Sequence, residues 1–406
     1  MIYPANFEEK IGFDRIREQV TALCSTPSAK AKLAEEGFST SADEIERRLS
    51  LMNEMRSLLM LERDFPDGDY PDPAPLVAKI RVEGSYLLAA EADQLRKALV
   101  TVGAIAEFIL GRGGARYPRL WELSRRVTLF PEIVRAIDAI LDDRGEVKDS
   151  ASPELQQVRR AIREREGQAA KRLQQVLQRA KQAGIVDADA VLSVRDGRPV
   201  IPVAAANKRK LQGFIHDESA TGRTFYVEPV EVVEINNELK ELEYAERREV
   251  VKVLSTFTES IRPDAEAIAD AGDYLSSVDM IRAKARWALA NDAGKPILST
   301  DDRLELRTAR HPLLQQTLRA QGREVVPLDL ALDRRKHILV ISGPNAGGKS
   351  VCLKTTGLMQ YLFQCGYPVP ASEVSELPVF RSIFIDIGDE QSIDDDLSTY
   401  SSHLLN

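Results

Sequence analysis

An eight-residue segment, GPNAGGKS at residues 343–350, constrains the fold of this chain more than any other part of it. A glycine, four residues and then Gly-Lys-Ser is the spacing of a phosphate-binding P-loop. An apolar run at 337–342 precedes the segment, and residues 351–359 follow it with helix-compatible spacing. We therefore predict a strand, a glycine-rich loop and a helix in that order. The alternative is a glycine-rich surface loop.

The loop and the start of the predicted helix contain the residue types that bind a nucleoside triphosphate. Glycines let successive backbone N–H groups point into one concavity, and the polarity of a helix N-terminus adds to the attraction for phosphate. Lys349 is predicted to reach the β- and γ-phosphates in a catalytic role, and the Ser350 hydroxyl to ligate Mg²⁺. The predicted ATP-binding residues are Gly343, Pro344, Asn345, Ala346, Gly347, Gly348, Lys349, Ser350 and Val351.

The composition limits the kinds of protein and of site that fit this chain. Its 406 residues are enough for two or three domains, and its net charge of −8 restricts any nucleic-acid contact to a local patch. The cysteines and histidines are scattered, without the spacing of a disulfide framework or a zinc site. The sequence contains no leader-like start and no apolar run of about eighteen residues. We expect a soluble cytoplasmic protein without membrane contacts.

Two long amphipathic helices are predicted in the middle of the chain. Ser152-Pro153-Glu154 supplies a cap, a proline at the first helical position and an early carboxylate, which is typical of a helix start. The apolar residues that follow, up to Ala180, recur at spacings of three, four or seven. A second helix of this kind is predicted from about Val232 to Ile261. Because the two helices flank one insertion, we predict an antiparallel stalk.

The insertion, residues 187–229, changes to the alternation of β-strands, and we call it the β insert. Two hairpins are predicted, one turning through Asp196-Gly197 and one through residues 219–222. No acidic residue lies between Asp196 and Asp217, whereas several cations do. The side chains predicted to contact nucleic-acid phosphates are Arg198, Lys208, Arg209, Lys210 and Arg223. The alternative is an ordinary solvated turn.

Together these features resemble the MutS family of DNA-repair ATPases, in which a helical core and a paired-helix lever with a β-rich clamp precede a P-loop ATPase domain. Arg310-His311-Pro312-Leu313 is similar to the entry to that domain, and GPNAGGKS to the family's form of the P-loop. Residues 388–400, GDEQSIDDDLSTY, resemble its signature segment. Residues 193–229 resemble the clamp of the second bacterial branch, MutS two, and the start of the chain matches no mismatch-recognition domain. The resemblance covers essentially the whole chain.

The resemblance implies roles for residues outside the P-loop. Gln391 falls where such ATPases sense Mg²⁺ and the γ-phosphate. Ser398 and Thr399 fall where the family presents its signature to the nucleotide of the partner subunit, which implies a homodimer. Val326 falls where the family packs the adenine base. ATP and Mg²⁺ are the implied cofactors.

Residues 382–390, SIFIDIGDE, allow a competing interpretation as a Walker B strand with Glu390 as general base. We prefer the signature interpretation, because the segment continues directly into Ser398-Thr399-Tyr400. The chain then ends before a Walker B strand and before the nuclease module of the family. Because hydrolysis requires a positioned water and charge stabilisation from two sides, we expect weak nucleotide binding and little or no hydrolysis by this chain.

The predicted fold is multidomain: an all-α core, a paired-helix lever with a small β-rich clamp, and an incomplete α/β P-loop ATPase domain of the ABC type. The predicted domains are a helical core at 1–152, the lever at 153–262 with the clamp at about 187–229, a return helix at 263–295, and the N-terminal part of the ATPase domain at 296–406.

Three functions fit these features. The first is a dimeric ATP-driven clamp on branched or duplex DNA that suppresses homologous recombination, with an endonuclease module in the full-length protein. The second is an ATPase that acts on stalled ribosomes or structured RNA, including rRNA. The third is a structural coiled-coil ATPase of the chromosome-maintenance type, which is weakened because here the P-loop follows the helices.

Overall fold

The computed structural model describes residues 1–195, 197–343 and 348–386 of the chain. These residues form mainly helices, with short strands between them. The helices are α1 (Phe7–Ile11), α2 (Phe13–Leu23), α3 (Pro27–Glu35), α4 (Ala42–Leu61), α5 (Ala74–Ile80), α6 (Ala89–Gly111), α7 (Pro118–Ser124), α8 (Pro131–Ile140), α9 (Pro153–Gln182), α10 (Val230–Ile261), α11 (Ala265–Ala290), α12 (Pro312–Ala320) and α13 (Lys349–Gln364). The strands are β1 (Ile2–Tyr3), β2 (Ser193–Arg195), β3 (Arg198–Ala204), β4 (Gly213–Glu218), β5 (Thr224–Pro229), β6 (Ile297–Leu298), β7 (Leu304–Ala309), β8 (Leu328–Leu332), β9 (Glu376–Leu377) and β10 (Ile383–Phe384). Within the described ranges, every helix falls short of the length or apolarity that crossing a membrane requires.

The chain divides into two compact units, which we call the core unit and the arm unit. The core unit comprises Met1–Ala78, Gln94–Pro131 and Asp264–Asn406, and the arm unit comprises Lys79–Asp93 and Glu132–Pro263. Residues 1–152, predicted as one helical core, therefore contribute to both units. The predicted domain boundaries stay a prediction.

Helix α11 is the central element of the core unit, and most residues of its second half are buried. One apolar cluster packs helices α1 to α4 together with α11, α12 and α13. A second cluster packs α4, α6 and α7 on the first two-thirds of α11. A polar group on the buried part of such a helix needs a hydrogen-bond or ion-pair partner, because burial removes its contacts with water.

The charged residues of α11 do have such partners. Asp279 and Arg282, both with fully buried side chains, form an ion pair of 2.8 Å. Asp279 also accepts hydrogen bonds from the backbone N–H groups of Ser25 and Thr26, at 2.9 and 2.8 Å. The Arg282 guanidinium donates to the carbonyl of Gly68 at 2.7 Å and lies 3.7 Å from the centre of the Tyr70 ring. The pair thereby joins α11 to the loop before α3 and to the proline-rich loop before α5.

The core unit also contains small sheets. One has the strand order β6-β9-β7-β8, with β6 parallel to β9 and β7 antiparallel to both of its neighbours. Strand β1 pairs in parallel with β10. The prediction of a strand over residues 337–342 is wrong for this structure, which assigns none there and leaves Val340 84% exposed. A strand needs a neighbour for its N–H and C=O groups, and no described strand pairs with these residues.

The arm unit contains the two predicted long helices. The Ser152 hydroxyl accepts a hydrogen bond from the N–H of Leu155 at 3.0 Å, so α9 starts with the predicted cap. Ion pairs join Arg159 to Glu246 at 2.7 Å and Arg165 to Glu238 at 2.8 Å. Residue numbers rise along α9 as they fall along α10, so the two helices run antiparallel as predicted.

The β insert is an antiparallel sheet with the order β2-β3-β5-β4. Both predicted hairpins are present, although Asp196 of the first turn lies outside the described residues. Ile201, Val203 and Val227 of the sheet form an apolar cluster with side chains of α9 and α10. At Gly213 the backbone passes so close to the Glu228 carbonyl oxygen that an added Cβ would lie 2.2 Å from it, so only glycine fits there.

Candidate functional site

The N-terminus of helix α13 has the geometry of an anion site. Gly348, the residue before the helix, adopts a left-handed conformation with φ of 79° and ψ of 15°, and no side chain among the described residues caps the helix start. The backbone N–H groups of the first turn of a helix have no partner within the helix. With a glycine in place of a capping side chain, these N–H groups can donate hydrogen bonds to phosphate oxygens instead.

Lys349 and Ser350 lie at this helix start. The Lys349 ammonium donates to the carbonyl oxygen of Gly343 at 2.7 Å, so the two ends of the P-loop segment are in contact. Ser350 is exposed and Val351 is half-buried. Pro344, Asn345, Ala346 and Gly347 lie outside the described residues. The described part of the loop therefore fits a phosphate group, with an uncapped helix start, a cation and a hydroxyl close together.

Aromatic and charged contacts hold α13 in the core unit. The Tyr361 hydroxyl lies 2.6 Å from the Glu8 carboxylate, and its ring meets the Phe13 ring edge-on with centres 4.8 Å apart. Leu358 and Leu362 are fully buried on the same helix. Since these contacts come from α1 and α2, the first helices of the chain support the P-loop helix.

Two buried amides on α13 fix the segment that leads to β10. The Gln364 side chain donates to the carbonyl of Phe380 at 2.8 Å and accepts from the N–H of Phe380 at 3.1 Å, as a neighbouring strand would. It also donates to the carbonyl of Ser39 at 2.9 Å. The Gln360 amide donates to the carbonyl of Pro378 at 2.7 Å. Residues 378–380 are thereby held against the P-loop helix by side chains.

His311 of the Arg-His-Pro segment precedes α12 and is buried. Burial, together with the smaller effect of the neighbouring cations Lys354 and Arg15, lowers the pKa of this histidine from 6.5 to about 4. His311 is therefore neutral at pH 7. It acts as a packing group in the core unit at that pH, not as a cation.

The remaining residues predicted for the nucleotide site are not brought to the P-loop by the described structure. Val326 is 78% exposed, in a stretch without helix or strand. Gln391, Ser398 and Thr399 lie outside the described residues, as does Glu390 of the competing interpretation. The roles predicted for all of these residues stay predictions.

In the β insert, Arg198 belongs to a charge network. Its guanidinium makes two hydrogen bonds to Glu228, at 2.8 and 2.9 Å, and a third to Asn237. Glu228 is only 1% exposed and also accepts from the buried Asn236 and pairs with His216. Burial by itself raises the pKa of the Glu228 carboxyl. The hydrogen bonds from Asn236, His216 and Arg198 outweigh this effect, and the pKa is lowered overall. Arg198 therefore neutralises a buried carboxylate.

The other predicted cations of the β insert lie together at one end of its sheet. Ala204 is paired with Thr224, and the N–H of Ala205 donates to the carbonyl of Arg223 at 2.9 Å, so Arg223 adjoins the segment that contains Lys208, Arg209 and Lys210. All four side chains are exposed. Lys208 lies over the Phe225 ring at 4.5 Å, and the described residues give Arg209, Lys210 and Arg223 no side-chain partner. We call these four residues the insert tip.

Comparison with known proteins identifies the family to which the chain belongs. Residues 339–406 match the family model of MutS domain V. Over 396 residues, 97% of this chain, it is 35% identical to the endonuclease MutS2 of Bacillus velezensis. It is 36% identical over 405 residues to the endonuclease MutS2 of Thermomicrobium roseum, and 34% identical over 396 residues to the putative endonuclease MutS2 of Bacillus subtilis. The chain belongs to the MutS family, in its MutS2 branch.

The chain spans about half the length of the curated MutS2 relatives that it matches, 49% of the Bacillus velezensis protein and 50% of the Thermomicrobium roseum protein. The MutS domain V match begins within the apolar run before the P-loop and contains the whole of α13. The uncapped helix start described above therefore lies inside the segment by which the MutS family is recognised.

The structure of this MutS2-branch chain also contains residues that sequence reasoning missed. Gln360 and Gln364 stand one turn apart on the buried face of α13, and Glu228 is the penultimate residue of β5. The available signal was the same in each case: a polar residue at a position where the period of the element requires burial. Such a residue must have a partner, but the pattern does not say which.

Proposed function

We propose that this chain is the ATP-binding and DNA-binding part of a MutS-type protein that acts as a dimeric, ATP-driven clamp on branched or duplex DNA and suppresses homologous recombination. The observation that supports it best is the uncapped start of α13, with Gly348 in a left-handed conformation, inside the MutS domain V match. The named relatives are endonucleases, and nuclease activity of a full-length protein is part of the proposal.

In the proposed nucleotide site, the first-turn amides of α13 hold the phosphates and Lys349 neutralises the β- and γ-phosphates. The exposed Ser350 hydroxyl ligates Mg²⁺, which accepts few protein ligands and keeps most of its waters. Val326 packs against the adenine base. Gln391 senses the γ-phosphate, and Ser398 and Thr399 complete the site of a second subunit. These last four roles rest on the family resemblance.

In the proposed DNA site, the insert tip supplies the phosphate contacts. Exposed cations without a competing carboxylate can exchange water and counterions for phosphates. We assign Arg198 a structural role instead, because it is engaged with Glu228. Contacts of this kind position a protein on a nucleic acid without reading its sequence.

Lys349→Ala is expected to weaken Mg²⁺-dependent ATP binding by roughly 10–100-fold, since a charge-assisted contact to phosphate contributes about 1.5–3 kcal/mol. Binding of a fluorescent ATP analogue to the purified chain, titrated with and without Mg²⁺, measures this. The matched control is Lys336→Ala, which removes an equally charged, exposed side chain outside the P-loop. Equal affinities for wild type and Lys349→Ala would contradict the nucleotide site.

Replacing Lys208, Arg209 and Lys210 together with glutamine is expected to lower the dependence of duplex DNA affinity on salt. Each phosphate contact contributes about 0.9 to the slope of log affinity against log salt, so three lost contacts lower it by about 3. Fluorescence anisotropy of a labelled duplex between about 50 and 200 mM salt provides the slope. DNA would be refuted as the target if the wild-type chain did not bind it. The same conclusion would follow if ribosomes readily displaced the chain from DNA.

A further inference from the structure

The half of helix α9 next to the β insert has an unusual charge composition. Residues 167–182 contain the cations Lys171, Arg172, Arg179 and Lys181, five glutamines and no acidic residue. The first half of the same helix contains Glu154, Glu164 and Glu166 among its arginines. An exposed helix face usually mixes both signs of charge, which supports the helix through pairs one turn apart. The second half of α9 lacks that mixture.

The polar residues of this half share one face of the helix. Ala169, Leu173, Val176, Leu177 and Ala180 are buried on one side. At about 100° per residue, the face opposite to this buried seam contains Lys171, Gln174, Gln175, Gln178, Arg179 and Gln182. These six residues line a shallow groove of about 460 Å³. We call them, together with the adjacent Arg172, the α9 stripe.

The cations of the stripe differ from Arg159, Arg163 and Arg165 of the same helix in having no side-chain partner among the described residues. Arg159 contacts Glu246 and Asp149, Arg163 contacts Asp149, and Arg165 contacts Glu238. The described residues provide no hydrogen bond or ion pair for the side chains of Lys171, Arg172 and Arg179, which are all exposed. Their charge is therefore available to a ligand.

The neighbouring half of α10 has the opposite charge. Residues 230–243 contain five glutamates, Glu231, Glu234, Glu238, Glu241 and Glu243, against one cation, Lys240. A polyanion is repelled by that helix and attracted by α9. Of the two helices next to the β insert, only α9 is thus suited to a phosphate backbone.

We propose that the α9 stripe is a second nucleic-acid contact surface, on which the phosphate backbone of duplex DNA lies. This inference rests on the proposed DNA binding and names a further surface for it. Lysine, arginine and glutamine side chains are typical donors to phosphate and sugar oxygens. An acidic protein partner fits less well, because a protein interface needs an apolar centre and the stripe contains no exposed apolar residue.

The test replaces Lys171, Arg172 and Arg179 together with glutamine, which removes the charge and keeps a polar side chain of similar helix propensity on an exposed face. The matched control replaces Arg247, Arg248 and Lys252 of α10 with glutamine, removing the same charge from the other helix of the arm. In anisotropy titrations with a labelled 30-base-pair duplex, the stripe variant is expected to lose at least about tenfold in affinity, with a salt slope smaller by about 3. The control is expected to stay within about threefold of the wild type.

Two outcomes would overturn the inference while leaving the proposed function intact. One is a stripe variant that binds as the wild type does while the insert-tip variant loses affinity. The other is an equal loss for the stripe variant and for the α10 control, which would reflect net charge alone. Failure of the wild-type chain to bind duplex DNA at low salt would instead count against the proposed function. Unchanged far-UV circular dichroism would show that the variants are folded.

Discussion

Replacing Asp279 with alanine is expected to lower the free energy of unfolding of the core unit by about 3–5 kcal/mol. The fully buried Arg282 would lose its 2.8 Å ion pair and keep only the longer one, 3.3 Å, to the partly exposed Asp67, and a poorly compensated charge in a helix core is costly. The N–H groups of Ser25 and Thr26 would lose their acceptor as well. The loop before α3 would then lose three hydrogen bonds to α11 and keep the one from Arg282 to the Ser25 hydroxyl.

Tryptophan fluorescence during urea unfolding measures this effect in the core unit alone. The chain has two tryptophans, Trp121 and Trp287, and both belong to that unit. The matched control is Arg334→Ala, which breaks an ion pair to Asp302 whose side chains are 72% and 65% exposed and which contributes at most about 1 kcal/mol. A loss below about 1 kcal/mol for Asp279→Ala would contradict the structural role of the pair.

The double variant Asp279→Leu, Arg282→Met separates the two components of this effect. Removing both charges leaves no unpaired ion, so the double variant is expected to be more stable than Asp279→Ala. If both variants unfold at the same urea concentration, then the lost hydrogen bonds to the loop at Ser25 and Thr26 account for the destabilisation, and the ion pair does not.

Lowering the pH from 6.5 to 4.5 is expected to destabilise the core unit through His311. Its pKa is about 4 in the folded chain against 6.5 for an ordinary histidine, so over this range the unfolded chain binds a proton that the folded chain does not. The contribution is complete above about pH 6.5 and is lost as the pH falls towards 4. Its full size is roughly 3 kcal/mol, and most of it disappears within the range measured.

Urea unfolding at several pH values, followed by tryptophan fluorescence, tests this dependence. The variant His311→Gln removes the titrating group, so its stability should change less between pH 6.5 and 4.5 than that of the wild type. His337→Gln is the matched control, because this histidine is exposed, and it should keep the wild-type dependence. The same pH dependence in His311→Gln and in the wild type would show that other groups cause it.

The elements that the sequence predicts well are those specified by neighbouring residues. The cap and apolar seam of α9 and both hairpins of the β insert are local patterns, and the structure contains them. The glycine before α13 is local too, since its freedom to adopt positive φ belongs to the residue itself. The α13 start of the candidate nucleotide site was therefore predictable from a few residues.

The failures concern partners that are distant in sequence. An apolar run such as 337–342 becomes a strand only beside another strand, and hydropathy does not show whether that partner is in place. Arg198 has the same charge as the insert-tip residues, yet Glu228, thirty positions away, engages it. Asp279 contacts residues more than 250 positions away, and no local pattern predicts such a pairing.

The hydrogen bonds of Gln364 have a consequence for natural variation at that position. Its amide presents a donor to two carbonyl oxygens, those of Ser39 and Phe380, and an acceptor to the backbone N–H of Phe380 and to the Gln360 amide. Glutamate has the same shape but would set a carboxylate against both carbonyls, and leucine would leave all three backbone groups without a partner. Size and hydropathy would class either change as conservative. The geometry identifies both as damaging, since the chain leading to β10 is anchored to the P-loop helix by this one amide together with Gln360.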